Sequence, residues 1–537
     1  MDENETYWIW YSGDFELYHG MKQNFSRVER GYGWPAFWKS EGFRHRVAFR
    51  REYDLEKETT FQVFSRSIGF VLAGDRKYPF GQKITCPPGK IRISVHAACI
   101  EAFPSIYVAG DVIRSDEGWL VEDYEHPLCK VGFCKYFTEA EQDPCVWEYA
   151  EKEYLPVRKT EVEGVVLFEY ETELTAVLKV DFQAGYRPVT VCCGESREEA
   201  LDKEHCYYSW VPDKETGKCP CCAVRFAYIP DCPAEEVEMT AYYQYVDMPV
   251  KASFSSGDEM LDRIWEVSAH TFWLCSGIFF LDGIKRDKWI WSGDAYQSLF
   301  VNPYLLADKD VEQRTLRALR GNDPMTTHIN TIVDYSLLWL LGVWKNYQSY
   351  GYVEFVRELY PKMKSLMVFC DEQTEEHGFL TGREKDWIYI DWADFDKEGP
   401  FCAEQMLFAR CWAVLGEAAQ LLGEDSASYQ TRFQQLAEKI QEYYWDEEKG
   451  AYVDSFLSGR RNVTRHANIF AYLFDIAGEE KKKKIMERVI QNDAIPAITT
   501  PYFKFFELEV LCQAGYAKDM VQLLHIPPGT APPTRKI

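Results

Sequence analysis

The chain has 537 residues, 46% apolar and 27% charged, which excludes a disordered or fibrous protein and leaves room for three to four domains of about 150 residues each. No apolar run approaches the roughly 18 residues of a membrane span, and 60 Lys+Arg against 85 Asp+Glu give a net charge of −25 that repels phosphate backbones and anionic lipid. Neither nucleic acid nor a membrane is expected as a partner. Aromatic residues reach 16%, with 17 Trp, 34 Tyr and 33 Phe, rings that fill cores and also stack on the C–H faces of sugars.

Met1–Thr6 has no basic stretch leading into an apolar one, so a cytoplasmic chain is expected. The 17 cysteines then read as reduced thiols. Cys219, Cys221 and Cys222 with His205, Cys206 and Cys232 do not have zinc-finger spacing, and neither metal nor cofactor is expected. The sequence leaves the oligomeric state open.

In chain order, residues from about 45 to 250 read as β structure. Ile91, Ile93 and Val95 alternate with Arg92 and Ser94, and Val237, Met239, Ala241, Tyr243 and Tyr245 repeat the period over a longer stretch. Two β-sandwich domains are expected, over 1–150 and 151–250, with the charged stretch 139–159 as connector. After Val250 the period becomes 3.6, starting at Met260, Leu261, Ile264, Trp265 and Val267 behind the candidate caps Ser255 and Ser256. Further apolar stripes follow at Leu337, Leu338, Leu341 and Trp344; at Val353, Val356, Leu359, Tyr360, Met363 and Leu366; and at Met406, Leu407, Cys411, Val414 and Leu415. The stretch 374–380 is echoed by 446–452, each an acidic-Gly-apolar hairpin after a helix, and such repeats suggest an α/α toroid over 251–524.

The densest chemical stretch is Phe279–Asp294, with three carboxylates, two lysines, one arginine and two tryptophans in sixteen residues. Apolar neighbours raise a carboxyl pKa by desolvation and a second carboxylate opposes its ionisation, so such a loop can keep one acid protonated near neutral pH. Glycoside hydrolysis needs that: one carboxylic acid protonates the leaving oxygen and a second carboxylate activates water or attacks the sugar. The structural alternative is a loop of ion pairs anchored by Trp289 and Trp291.

The spacing Asp282-x-x-x-Arg286-Asp287-Lys288-x-x-Trp291-x-Gly293-Asp294 resembles the signature loop of bacterial α-L-rhamnosidases, glycoside hydrolase family 78, written D-x-P-x-R-E-R-x-x-W-x-G-D. The likeness continues at Gly194–Leu201, Asp334-Tyr335-Ser336, Asp386-Trp387 and 500–515. It implies β-sandwich domains followed by an (α/α)6 six-hairpin barrel, and an inverting hydrolase releasing terminal α-L-rhamnose from a rhamnose-containing glycoside. By position it makes Asp287 the general acid, where the family more often has Glu, and gives sugar contacts to Asp282, Asp294, Asp334, Trp291 and Trp387, with Arg286 orienting the acids. Lys288 replaces the usual Arg and loses a planar fork of donors.

The family's base is a Glu late in the barrel, in a threonine-rich segment ending in Trp-Glu, and no such segment follows here. Helical text runs to Leu524, and 525–537 then carry four prolines in thirteen residues, which cannot continue a helix. That tail reads as irregular, as from an early stop or a change of frame, leaving the barrel incomplete and the activity impaired. Glu507 and Glu509 are candidate substitutes for the base; a carbohydrate-binding protein without turnover is the competing reading.

Overall fold

The computed structural model describes residues 5–25, 42–162, 165–230, 232–516 and 518; the expected irregular tail at 525–537 lies outside them. The chain falls into two compact units. The first holds the residues up to Val250 together with His270–Trp289, and the second holds Lys251–Ala269 and the residues from Ile290. Among the described residues no helix is long and apolar enough to cross a membrane.

The first unit opens with helix α1 (Asp14–Phe25) and a ten-stranded sheet. Its longest ladder pairs Arg46–Leu55 with Gly89–Ala98, from Arg46↔Ala98 to Leu55↔Gly89. Period-2 alternation sends Val47, Phe49, Ile93 and Val95 to one face, where they meet Phe61, Val63, Ile84, Val108 and Trp119. Ile84 lies on a strand at one end of the strand order and Val71, in the same core, next to the strand at the other end. The sheet therefore folds over to enclose a single core, as a sandwich does.

A seven-stranded sheet follows, built on the 18-residue strand Val165–Phe182, which bulges between Glu169 and Leu174. Val237, Met239, Ala241 and Tyr243 are buried along its neighbour, while Tyr245 is only partly covered. Cys193, Cys219, Cys222 and Cys232 belong to this core, so the cysteine-rich stretch serves packing. Helix α2 (Arg197–Leu201) is capped by the Ser196 hydroxyl, which accepts the Glu199 N–H. Although the sequence places 270–289 with the helices, this segment groups with the β residues. Ile284 is buried in the core of the second sheet, Trp273 Nε1 donates to the Met248 carbonyl at 3.0 Å, and His270 Nε2 lies 2.9 Å from the Glu173 carbonyl.

The second unit is helical: α3 (Glu259–Leu274, its last turn shared with the first unit), α4 (Ser292–Leu305), α5 (Lys309–Arg320), α6 (Val333–Tyr350), α7 (Val353–Asp371), α8 (Cys402–Leu422), α9 (Ala427–Tyr444), α10 (Arg465–Leu473), α11 (Glu479–Ile485) and α12 (Pro501–Gln513). Packing links α4 to α6, α6 to α8, α8 to α10 and α10 to α12. The ring closes where Phe506 of α12 stacks on Tyr296 of α4 and Gln297 Nε2 donates to the Tyr502 carbonyl at 2.8 Å. Alternate helices thus line the centre, the arrangement of an α/α toroid. Both predicted echoes are hairpins that follow helices: Thr374 bridges Leu380 after α7, and Trp445–Asp446 pairs with Ala451–Tyr452 after α9.

Two expectations are corrected at α3. Its cap is Asp258, whose Oδ1 accepts the N–H groups of Met260 and Leu261, whereas Ser256 bonds to Asp258 and Asp262; a carboxylate at that position reaches the free N–H groups that the earlier serines cannot. The apolar stripe of α3 also contributes no buried residue, and Met260 and Val267 are each 49% exposed.

Two predictions follow from these cores. Phe49→Ala should cost about 3–5 kcal/mol by denaturant unfolding, the range for emptying a packed aromatic site. Burial, the largest influence, raises Glu312 to about 7 and Glu173 to about 8 from the ordinary 4.5. A carboxyl raised on folding contributes stability that is complete below its unfolded pKa and lost as pH rises through the folded one. The melting temperature should therefore fall as pH rises from about 4.5 to about 8, and a rise across that window would sink the assignment.

Candidate functional site

The expected site residues divide between the units: Asp282, Arg286 and Asp287 lie on the His270–Trp289 segment, and Trp291, Asp294, Asp334 and Trp387 lie in the helical unit. In the first unit the loop from 282 to 289 is clasped at its base. Asp282 N–H donates to the Trp289 carbonyl at 3.0 Å, and Trp289 N–H returns to Asp282 Oδ1 at 2.8 Å. Asp282 is thus a loop brace with an exposed side chain.

The β residues support this loop from several directions. Lys285 Nζ reaches Glu199 at 2.7 Å and Glu195 at 3.1 Å, so the acidic stretch after Gly194 serves as its dock. A side chain at Gly194 would put a Cβ 2.6 Å from the Ala200 nitrogen, so the turn into α2 requires glycine. Tyr208 Oη donates to the Lys285 carbonyl at 2.5 Å, and Gln23 Nε2 to that of Lys288 at 2.8 Å. Lys288 has φ of +47° and lies over the Tyr208 ring at 5.2 Å; burial lowers its pKa. A left-handed non-glycine residue directly after Asp287 is held by its surroundings, and it sets how the half-buried Asp287 is presented. Glu173, which the sequence gave no reason to single out, is raised to about 8, first by burial and then by Glu195, with Lys285 opposing.

In the helical unit Trp291 is 8% exposed and meets Tyr335 edge-on at 6.1 Å. Asp294 is half-buried in the first turn of α4. Gly293 lies between them, and a Cβ there would overlap the Tyr502 hydroxyl and stand 2.6 Å from the Tyr335 ring. Asn330, a residue missed from sequence, braces this helix start: its Oδ1 accepts Ser292 N–H at 3.0 Å and its Nδ2 donates to the Ile290 carbonyl at 3.1 Å.

Asp334, 1% exposed, accepts the Tyr389 N–H at 2.8 Å on Oδ1 and the Ile390 N–H at 3.2 Å on Oδ2. Burial raises it to about 6, against those two donors. Ile390 has φ of +58°, a strained state for a β-branched residue that costs about 1–3 kcal/mol. Next to it Asp391 accepts the Thr500 hydroxyl at 2.6 Å and the Trp392 N–H at 2.8 Å, and its Oδ2 lies 2.9 Å from His466 Nε2. Trp387, 40% exposed, and Trp392, 66% exposed, pack against each other and Tyr389 with ring centroids 5.2–5.5 Å apart. This open aromatic wall suits the C–H face of a sugar. Of the two candidate bases, Glu507 is committed to Arg465 at 2.5 Å and to Lys504, and Glu509 bonds Gln513 at 3.3 Å.

Residues 249–501 match the family model described as the bacterial alpha-L-rhamnosidase 6 hairpin glycosidase domain. Among solved structures, the chain is similar to the GH78 family rhamnosidase of Bacillus sp. GL1 (16% identity, TM-score 0.59, covering 89% of this chain and 61% of that one). It is also similar to a rhamnosidase from Klebsiella oxytoca with rhamnose bound (17% identity, TM-score 0.58, covering 87% and 86%) and to the alpha-L-rhamnosidase of Aspergillus terreus (13%, 0.57, 97% and 70%). The chain thus spans about three fifths of the length of the Bacillus protein, 61%. No curated protein matches its sequence.

Gly293→Ala should lower stability by about 1–3 kcal/mol, the usual cost of overpacking. Gly283→Ala, where nothing lies within 4 Å of the added carbon, should not. Thermal melts of the two variants test this, and equal melting temperatures would remove the crowding argument.

Proposed function

We propose that this chain, whose residues 249–501 match the bacterial alpha-L-rhamnosidase 6 hairpin glycosidase domain, is a glycoside hydrolase acting on terminal α-L-rhamnose, with Asp287 as the proton donor. The observation that carries the reading is the clasped loop from 282 to 289, which holds Asp287 ahead of a left-handed residue at the start of a motif whose later members begin α4. The Klebsiella protein with rhamnose bound supports the sugar class.

In the proposed reaction Asp287, as the carboxylic acid, gives its proton to the glycosidic oxygen as the bond to the anomeric carbon breaks. A water attacks from the opposite face and inverts that carbon, its proton passing to a second carboxylate. Asp282 and Asp294 accept hydrogen bonds from sugar hydroxyls, Arg286 orients the acids, and Trp291 and Trp387 pack against the sugar's apolar face. Inversion also requires a carboxylate about 6.5–9.5 Å from the acid. Glu507, taken up by Arg465 and Lys504, does not fill that part, which favours a second reading: carbohydrate binding without turnover.

The test is aglycone release from a chromogenic α-L-rhamnoside. Asp287→Asn should lower kcat/KM by about 10²–10⁴, the usual worth of general acid assistance, and leave L-rhamnose binding intact. Unchanged turnover in that variant would move the acid elsewhere. Folded parent protein that binds L-rhamnose without releasing aglycone would establish the second reading.

A further inference from the structure

The segment from Trp387 to Trp392 is gripped from both sides of its backbone. Asp334 takes the N–H groups of Tyr389 and Ile390. Lys397 Nζ, on the other side, donates to the carbonyls of Ile388 at 2.6 Å and Tyr389 at 3.4 Å. Behind them Glu404, in the first turn of α8, is fully buried, and its two carboxyl oxygens meet no hydrogen-bond donor among the described residues. A buried carboxyl without donors cannot keep its charge, and both burial and the Asp334 carboxylate push Glu404 towards its protonated form.

We propose that Asp334, Lys397 and Glu404 are a positioning network that fixes the Trp387–Trp392 segment, Asp334 acting on its backbone and not on the sugar. The division of labour follows from the donors. Asp334 has two N–H groups and holds the negative charge; Glu404 has none and holds the proton; Lys397 supplies the positive charge. One negative charge near the exposed Lys397 ammonium is tolerated there, and a second, on the fully buried Glu404 that meets no donor among the described residues, is not. The strained Ile390 explains why the grip is needed: its N–H bond to Asp334 holds a backbone state that the side chain opposes. The groups that face Asp334 are Tyr335 on its own helix, Lys397 and Tyr389 on the gripped segment and its continuation, Glu404 on α8 and Tyr502 on α12. Burial holds the three tyrosines neutral, which leaves Asp334 as the group that titrates in mildly acid solution.

The kinetic arm of the test rests on the rhamnoside-hydrolase reading and the spectroscopic arm does not. In the spectroscopic arm, the near-ultraviolet circular dichroism of the packed Trp387, Tyr389 and Trp392 should change on lowering the pH from 7.5 to 5, with a midpoint near 6. Asp334→Asn should show the altered signal at every pH, and Lys397→Met should show it through loss of the carbonyl side. Glu404→Gln, a neutral replacement of the same shape, should keep the parent signal at pH 7.5. In the kinetic arm, Asp334→Asn should raise KM for a chromogenic α-L-rhamnoside at least tenfold, with a smaller change in kcat, and lose the acid limb of the parent's profile. Parent-like dichroism in folded Asp334→Asn overturns the proposal, as does an aromatic signal lost in Glu404→Gln. A parent without turnover would instead defeat the hydrolase reading while leaving the spectroscopic result standing.

Discussion

A carboxylate taken out of water must meet hydrogen-bond donors or give up its charge, and this constraint fixes the chemically important parts of the chain. Asp334 answers it with two backbone N–H groups, and Asp391 with the Thr500 hydroxyl, the Trp392 N–H and the His466 ring. Glu312 meets Asn302 at 2.7 Å and Asn346 at 2.6 Å, and Glu404 yields its charge. Asp334 on α6 ties its helix to the segment after Trp387, and Asp391 ties that segment to Thr500 and His466, so the bonds that satisfy these two acids also shape the backbone between Trp387 and Trp392.

The first unit applies the rule to a loop. Asp282 spends an oxygen on closing its own loop, and Lys285 brings Glu195 and Glu199 together around one ammonium. Asp287 follows in the same loop, half-buried beside a left-handed Lys288. Glycines appear where backbones approach too closely for a Cβ: Gly194 at the turn into α2 and Gly293 against two tyrosines. In the motif Trp-x-Gly-Asp the glycine is therefore a packing requirement of α4.

The two hairpin echoes and the 3.6-residue stripes of α6, α7 and α8 were legible because period and turn chemistry are local properties, and the stripe residues other than Trp344 and Val353 are buried in the folded chain. The cap of α3 was misread because two serines and an aspartate stand within four residues, and only geometry decides which oxygen reaches the N–H groups. Within the site, the loop Asp282–Asp294 was legible from spacing. Asn330, Glu173, Lys397 and Glu404 were not, since each is one polar residue whose meaning depends on what the fold packs around it.

The sequence by itself determined a β-rich first half, a helical second half and one dense acid loop, because alternation, helical period and the spacing of charged residues are written in consecutive positions. Only the tertiary structure decided that 270–289 belongs with the β residues, that Asp334 spends its oxygens on backbone N–H groups, and that Glu507 is locked in ion pairs. The physical reason is common to all three: desolvation and hydrogen bonding depend on what surrounds a side chain, and those neighbours come from residues tens to more than a hundred positions away.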